Sequence, residues 1–211
     1  MGRIRKKQNA IELIKEYSWL KQNSDDIRFN NNPIYLEIGT GKGEFILTNA
    51  KKFPNINFFG IEKDTTIVWK ALKKISASNE KLNNLFIIND DVIRINDWLG
   101  DFKVSKIYIN FPDPWFKKRH SQNRLTSLKF LSLYNDILLP NCEIELKTDN
   151  QNLFEFSIDN INESKKFIIV YLTKDLYKDN KMLQQNILTE YEERFVKQNK
   201  QIFKIIFRKC N

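Results

Sequence analysis

Tyr35-Leu36-Glu37-Ile38-Gly39-Thr40-Gly41-Lys42-Gly43-Glu44-Phe45 is the stretch on which the fold turns. An apolar run stops at three alternate glycines, and a helical pattern starts immediately after them. Glycine takes up left-handed backbone without steric cost, so these positions allow a tight strand-to-helix turn and close approach of a ligand. Working outward, strand-like runs recur at 34–38, 57–61, 85–88, 106–111, 143–147, 167–172 and 202–207. Helical patterns cover 43–52, 65–76, 127–138, 151–161 and 189–199, with a short turn-rich piece near Asp97. Strands alternating with helices predict an α/β fold, a doubly wound parallel sheet of seven strands in three layers. No repeat or linker divides it. Residues 1–32 read as a basic N-terminal arm with a helix over 8–22, where Ile11, Ile14, Tyr17 and Leu20 fall at helical spacing; 33–211 read as a single domain.

Composition narrows the function classes. The 211 residues carry 35 Lys+Arg against 26 Asp+Glu, a net charge of +9, and are 41% hydrophobic and 13% aromatic. That apolar content excludes an intrinsically disordered chain. The longest apolar run is 167–172, far short of the ~20 residues of a membrane span. The first twenty residues are charged throughout and lack a signal peptide's apolar middle. A protein of the cytoplasm, with no membrane partner, is expected. Cys142 and Cys210 are too few for a disulfide framework, and His120 is the sole histidine. No metal centre is expected, and the usual general base is missing. The chemistry must use carboxylates, basic residues or a cofactor.

Three ligands compete for the glycine turn. A P-loop needs glycine at position 36 and Ser or Thr at 43, where Leu36 and Gly43 stand. A dinucleotide fold wants a third glycine where Glu44 stands, and that carboxylate at a helix N-terminus repels a pyrophosphate. S-adenosyl-L-methionine carries an ammonium and a sulfonium and no phosphate. Glu37, two places before the Gly39-Thr40-Gly41 turn, suits its cationic methionine end. Glu62, closing the second strand, can accept both ribose hydroxyls. Asp90 or Asp91, closing the third, can meet the adenine amino group. Three acids at three successive strand ends match the rule that such sheets bind ligands at the strands' carboxyl ends. The plain alternative is three solvated acids capping strands or helices.

The fourth strand runs into Asn110-Phe111-Pro112-Asp113-Pro114-Trp115. Two prolines stiffen that turn and present Asp113, unless Asp113 merely caps it. A basic strip follows at Lys117, Lys118, Arg119, His120 and Arg124, and Arg3, Arg5, Lys6 and Lys7 charge the arm. Between Phe102 and Lys129 there are seven Lys or Arg and one acid, Asp113. Such clustering is the footprint of a polyanion, and it points to nucleic acid rather than a solvated face. Lys147-Thr148-Asp149 closes the fifth strand. Thr189-Glu190-Tyr191-Glu192 opens the last helix, where Thr189 and Glu192 also have the spacing of a capping box.

Taken together, Glu37-x-Gly39-x-Gly41-x-Gly43, the Asn110–Trp115 turn with its Lys117-Lys118-Arg119-His120 tail, Lys147-Thr148-Asp149 and Thr189-Glu190-Tyr191-Glu192 resemble the bacterial tRNA (guanine-N7-)-methyltransferases over nearly the whole chain. The resemblance implies a Rossmann-like sheet of the class I methyltransferase type, mostly parallel with an antiparallel last strand. It implies methyl transfer from S-adenosyl-L-methionine to N7 of a variable-loop guanine, position 46 of tRNA, by a monomer or homodimer. Glu37, Gly39, Gly41, Glu62, Asp90 or Asp91, and Asp113 would bind the cofactor, and Asp113 would also be catalytic. Lys117, Arg119, Arg124, Asp149, Thr189 and Glu192 would contact the RNA. Two departures stand out. The Asp90-Asp91 doublet leaves the adenine-site acid open by one residue, and Ser121-Gln122-Asn123 is less basic than the family's loop. The rivals are an exocyclic-amine methyltransferase, which uses an Asn-Pro-Pro-aromatic turn at the same strand end, an RNA-binding protein that keeps the fold only as scaffold, and more distantly a dehydrogenase.

Overall fold

The computed structural model describes residues 6–27, 30–79, 81–184 and 186–211. Arg3 and Arg5 of the basic arm lie outside them. Strand β1 is Leu20–Lys21, β2 Ile34–Ile38, β3 Asn57–Ile61, β4 Leu85–Ile88, β5 Val104–Asn110, β6 Leu138–Thr148, β7 Phe167–Thr173 and β8 Phe203–Lys209. Helix α1 is Ala10–Ile14, α2 Glu44–Lys52, α3 Thr65–Ala77, α4 Ile95–Leu99, α5 Leu128–Ile137, α6 Gln151–Ser164, α7 Asn180–Gln184 and α8 Glu190–Val196. Lys118–Asn123 forms a 3-10 helix.

The strands form one sheet in the order β1-β4-β3-β2-β5-β6-β8-β7. All neighbours pair in parallel except at β8, which runs antiparallel to both β6 and β7. The strand order reverses between β2 and β5, so a crevice opens at their carboxyl ends.

Alternate side chains of the strands point to opposite faces and build two cores. Leu36, Phe59, Phe86 and Ile107 join Tyr134 and Phe154 of α5 and α6 on one face. Phe58, Leu85 and Ile87 join Ile46 of α2 and Val68, Leu72 and Ile75 of α3 on the other. β3 and β4 are buried along their whole length, as near-continuous apolar runs in a sheet covered on both faces should be.

The sheet has eight strands rather than the expected seven. The extra one, Leu20–Lys21, lies within the 1–32 segment and extends the edge beside β4. The helical spacing over 8–22 is realised only at Ala10–Ile14. Beyond it the open edge of β4 captures the backbone: Ile87 donates its N–H to the Trp19 carbonyl at 2.8 Å. Ile14 and Leu20 still pack on the α2–α3 face with Tyr17 partly buried against them, but Ile11 is 64% exposed, so the apolar spacing marks the packed face only in part. No helix among the described residues is long and apolar enough to cross a membrane, and no group of three or more His, Cys, Asp or Glu among them could hold a metal ion.

Candidate functional site

A cleft of about 610 Å³ opens at the carboxyl ends of β2, β3, β4 and β5. Its floor is the glycine turn, with Gly39 at φ +75°, Gly41 at +56° and Gly43 at +79°. These left-handed angles are strained for any residue with a Cβ. Gly60 on the neighbouring strand makes room for the turn, since a Cβ there would lie 2.6 Å from Thr40 Cγ2.

Glu37 ends β2 beneath this floor and is 3% exposed. Its Oε1 accepts a hydrogen bond from Asn110 Nδ2 at 3.0 Å, while Oε2 is buried without a partner. Burial pushes its pKa up to about 8; the Asn110 hydrogen bond and the Lys147 charge oppose that rise, and Glu62 adds slightly to it. Thr40 Oγ1 and Asn110 Oδ1 are likewise buried and unpartnered, and all three residues line the cleft. Orphaned acceptors are rare in folded proteins, because each forfeits its hydration without return. Three at one cleft floor describe a site built to receive a donor.

Glu62, at the end of β3, accepts from Gly41 N at 3.2 Å and Asp64 N at 3.0 Å. Its carboxylate therefore braces the glycine turn as well as facing the cleft. Burial raises its pKa, and the Asp64 and Gly41 amides act against the rise. At the end of β4 the two acids divide. Asp90 accepts from Asp91 N at 2.8 Å and Trp98 Nε1 at 3.0 Å, with Arg94 Nη1 3.3 Å from Oδ2, so both of its oxygens are engaged. Asp91 is exposed, and its Oδ1 caps the next turn by accepting from Ile93 N at 3.1 Å.

The β5 end is held in an unusual shape. Phe111 and Trp115 have φ of +49° and +42°, two non-glycine residues in left-handed backbone either side of Pro112-Asp113-Pro114. Such residues persist only where surroundings over-determine them. Phe111 N donates to the Lys147 carbonyl at 2.8 Å, and Arg124 donates from Nε to Pro114 O at 2.8 Å and from Nη2 to Trp115 O at 3.2 Å. Arg124 also lies 4.4 Å over the Phe156 ring. Asp113 projects from this clasped turn, exposed on the cleft wall.

The other anticipated residues spread over three settings. Lys117, Lys118 and Arg119 are exposed beside the turn, with Arg119 Nε 3.2 Å from His120 Nε2. Asp149 is half-buried beyond β6, with Lys200 Nζ at 3.7 Å, and does not line the cleft. Thr189, Glu190 and Tyr191 do line it. Thr189 Oγ1 accepts from Glu192 N at 3.1 Å, half of the capping box, but the Glu192 carboxylate turns inward and is fully buried against Lys147. Glu190 and Tyr191 belong to the Thr189–Glu192 stretch expected at the substrate, whereas no site role was expected for Asn110 or Trp98. Asn110 had a signal, its place at the head of the double-proline turn; Trp98 reaches Asp90 from α4 and had none.

Residues 31–205 match a family model described as "Putative methyltransferase". A tRNA (guanine-N(7)-)-methyltransferase of Mycoplasma capricolum is 39% identical over 216 residues, covering 98% of each chain. That of Mesoplasma florum is 44% identical over 91% of this chain and 90% of its own, and that of Alkaliphilus oremlandii 40% over 98% and 99%. Among solved structures, the 16S rRNA methyltransferase KamB superposes with a TM-score of 0.63 at 11% identity, covering 99% of this chain and 97% of its own, a likeness of fold. With an α/β sheet of that architecture and near-full-length identity of this order, the chain belongs to the tRNA (guanine-N(7)-)-methyltransferase family.

Proposed function

We propose that this chain transfers a methyl group from S-adenosyl-L-methionine to N7 of the variable-loop guanine at position 46 of tRNA. The observation that carries the reading is the cleft itself: buried, unpartnered acceptors on its floor, Asp113 on its wall, and the exposed Lys117–Arg119 strip beside it. A ligand with a cationic donor end and no phosphate fits the orphaned Glu37 Oε2, Thr40 Oγ1 and Asn110 Oδ1. Glu62 retains lone pairs for a pair of ribose hydroxyls after bonding Gly41 and Asp64. Asp91 is the better candidate to meet the adenine amino group, because Asp90 is spent on Trp98, Arg94 and its own neighbour. When bound, S-adenosyl-L-methionine supplies an electrophilic methyl on a sulfonium.

Guanine N7 offers an in-plane lone pair with no proton to remove, so no general base is required. The protein's tasks are to place N7 in line and to offset the positive charge that arrives on the purine. Asp113 accepts hydrogen bonds from guanine N1–H or N2–H and supplies that negative charge from a turn that cannot relax. Lys117 and Arg119 hold RNA phosphates, and the Thr189–Tyr191 wall closes the far side. A tRNA substrate implies work in the cytoplasm. Incubation with unmodified tRNA and labelled methyl donor, followed by nucleoside analysis, is expected to yield 7-methylguanosine, and to yield none when guanine 46 is replaced. Label in another nucleoside, or at another guanine, overturns the reading.

A further inference from the structure

The pair Lys147–Glu192 takes no part in those steps, yet it is the most completely buried ion pair among the described residues. Both side chains are 0% exposed and 2.7 Å apart. Lys147 Nζ also donates to Asn186 Oδ1 at 3.1 Å and the Ile187 carbonyl at 3.0 Å, which uses all three of its protons. Glu192 Oε1 accepts from the Tyr177 hydroxyl at 3.0 Å and from Asn186 Nδ2. Apolar residues of the same volume are often as stable as a buried ion pair, removal of one partner is costly, and in some proteins such a pair serves to fix one arrangement.

What it fixes is visible on either side. Lys147 of β6 pairs in register with Asn110 of β5, and its carbonyl holds Phe111 N, so it braces the strand end that bears both the Glu37 partner and the root of the Asp113 turn. Glu192 sits one residue beyond the cleft wall in α8, whose Tyr191 ring faces Phe111 with centroids 6.4 Å apart at 24°. At the outer end of the same helix, Glu190 pairs with Lys42 of the glycine turn at 2.7 Å and with Lys74 of α3. α8 is thus pinned on the inside by a dry, fully bonded pair and on the outside by partly exposed ones.

We propose that Glu192 is a positioning residue whose ion pair with Lys147 sets α8 at a fixed distance from the Asp113 turn, and that it makes no contact with RNA. This rests on the methyl-transfer reading above and assigns one of its residues a role inside the protein. Displacing α8 misaligns the base without removing any group that binds it, and a misplacement of the order of 1 Å costs about 10²-fold in rate.

The test compares Glu192→Gln, Lys147→Met, the double variant and Tyr177→Phe. Glu192→Gln is expected to lower kcat at saturating tRNA by about 30-fold or more, while tRNA affinity stays within about twofold of wild type. The double variant, which leaves no unpaired charge, recovers about tenfold of that loss. Tyr177→Phe keeps the pair and the fold, and lowers kcat by only a few fold. Amide exchange over Glu190–Val196 is expected to speed up in either single variant and to slow again in the double. A Glu192→Gln protein that binds tRNA about tenfold more weakly with unchanged kcat overturns the proposal and makes Glu192 an RNA contact. A double variant no better than Glu192→Gln in rate or exchange also overturns it. Should the wild type make no 7-methylguanosine while exchange follows the expected pattern, the methyl-transfer reading fails and the α8 clamp stands.

Discussion

Asn110 donates its side-chain amide to Glu37 Oε1 at 3.0 Å, across the point where the strand order reverses. The contact joins two motifs separated by 73 residues, the glycine turn and the double-proline turn. It also leaves Glu37 Oε2 and Asn110 Oδ1, on two residues that line the same cleft, buried with nothing to bond. The glycine turn and the double-proline turn therefore share a hydrogen bond, and a change at one is felt at the other.

Glu37 should couple cofactor binding to proton release. Its pKa of about 8 in the free protein, raised chiefly by burial, keeps it protonated at neutral pH. A cationic ligand favours the carboxylate and expels that proton. Binding of S-adenosylmethionine at pH 7 is expected to release more protons in wild type than in Glu37→Gln, read as a difference in calorimetric enthalpy between buffers of unlike ionisation heat. Affinity for the variant should fall by about 10–100-fold, the scale of a hydrogen bond to a charged group. Equal proton release from both proteins would remove Glu37 from the ligand site.

Without ligand the same carboxyl works against the fold. A carboxyl whose folded pKa is raised binds its proton more tightly folded than unfolded, so its contribution is complete below the ordinary value of 4.5 and is lost as pH rises through about 8. Glu37→Gln should match the wild type in stability near pH 5 and exceed it, by on the order of 1 kcal/mol or more, above pH 8. Thermal melts of both proteins at the two pH values, in the absence of cofactor, decide it. A constant difference across that range would mean that burial does not govern this group.

The basic strip should divide into residues that hold phosphate and one that holds the turn. Lys117 and Arg119 are exposed, so neutralising either is expected to reduce the log–log salt slope of tRNA binding by ~0.7–1. Arg124 spends its guanidinium on the Pro114 and Trp115 carbonyls. Arg124→Met removes both that fork and the charge; it should leave the salt slope unchanged and slow methylation about tenfold or more by loosening the Asp113 turn. A reduced slope in Arg124→Met would return this residue to the RNA surface.

What was legible in the sequence follows from the range of the interactions concerned. Strands β2, β3 and β4 match their expected bounds, because the apolar runs stop abruptly at Gly39, Glu62 and Asn89-Asp90-Asp91. The glycine turn announced itself because positive φ restricts composition. Leu20–Lys21 could not be foreseen as a strand: a two-residue pairing is dictated by the free edge of β4 rather than by its own pattern. Glu192 carried a true local signal, the Thr189 cap, which concealed a stronger partner 45 residues upstream. Asp90 and Asp91 are equivalent in sequence, and their roles are separated by contacts the pattern does not carry: the Trp98 indole and Arg94 engage Asp90, while Asp91 caps the next turn.

Glu62→Ala is expected to reduce cofactor affinity by about 1.5–3 kcal/mol through two effects. It removes an acceptor for the ribose and also frees Gly41 N and Asp64 N, the amides that shape the glycine turn. Glu62→Gln retains an oxygen for one of those amides and should lose less. Calorimetry on the two variants separates bracing from recognition; equal losses would assign the whole effect to the ribose.

Asp113 gives the sharpest expectation. It is the one acid between Phe102 and Lys129, and it stands between prolines that are themselves bracketed by left-handed Phe111 and Trp115. Arg124 and the Lys147 carbonyl clamp both ends of this turn, so the backbone that carries Asp113 is held at the cleft wall. Asp113→Asn keeps the size and the turn but removes the negative charge, and it can present N–H where guanine requires an acceptor. Preorganised electrostatic contacts of this kind are worth about 10²-fold or more in turnover. The single-turnover rate with both ligands saturating should fall by that amount, while tRNA affinity and thermal stability stay near wild type. Saturation matters because Asp113 also lines the cleft proposed for the cofactor, and a modest loss of S-adenosylmethionine affinity is compatible with the role. A near-normal single-turnover rate would reduce Asp113 to a rigid corner of the turn and move the source of charge stabilisation elsewhere in the cleft.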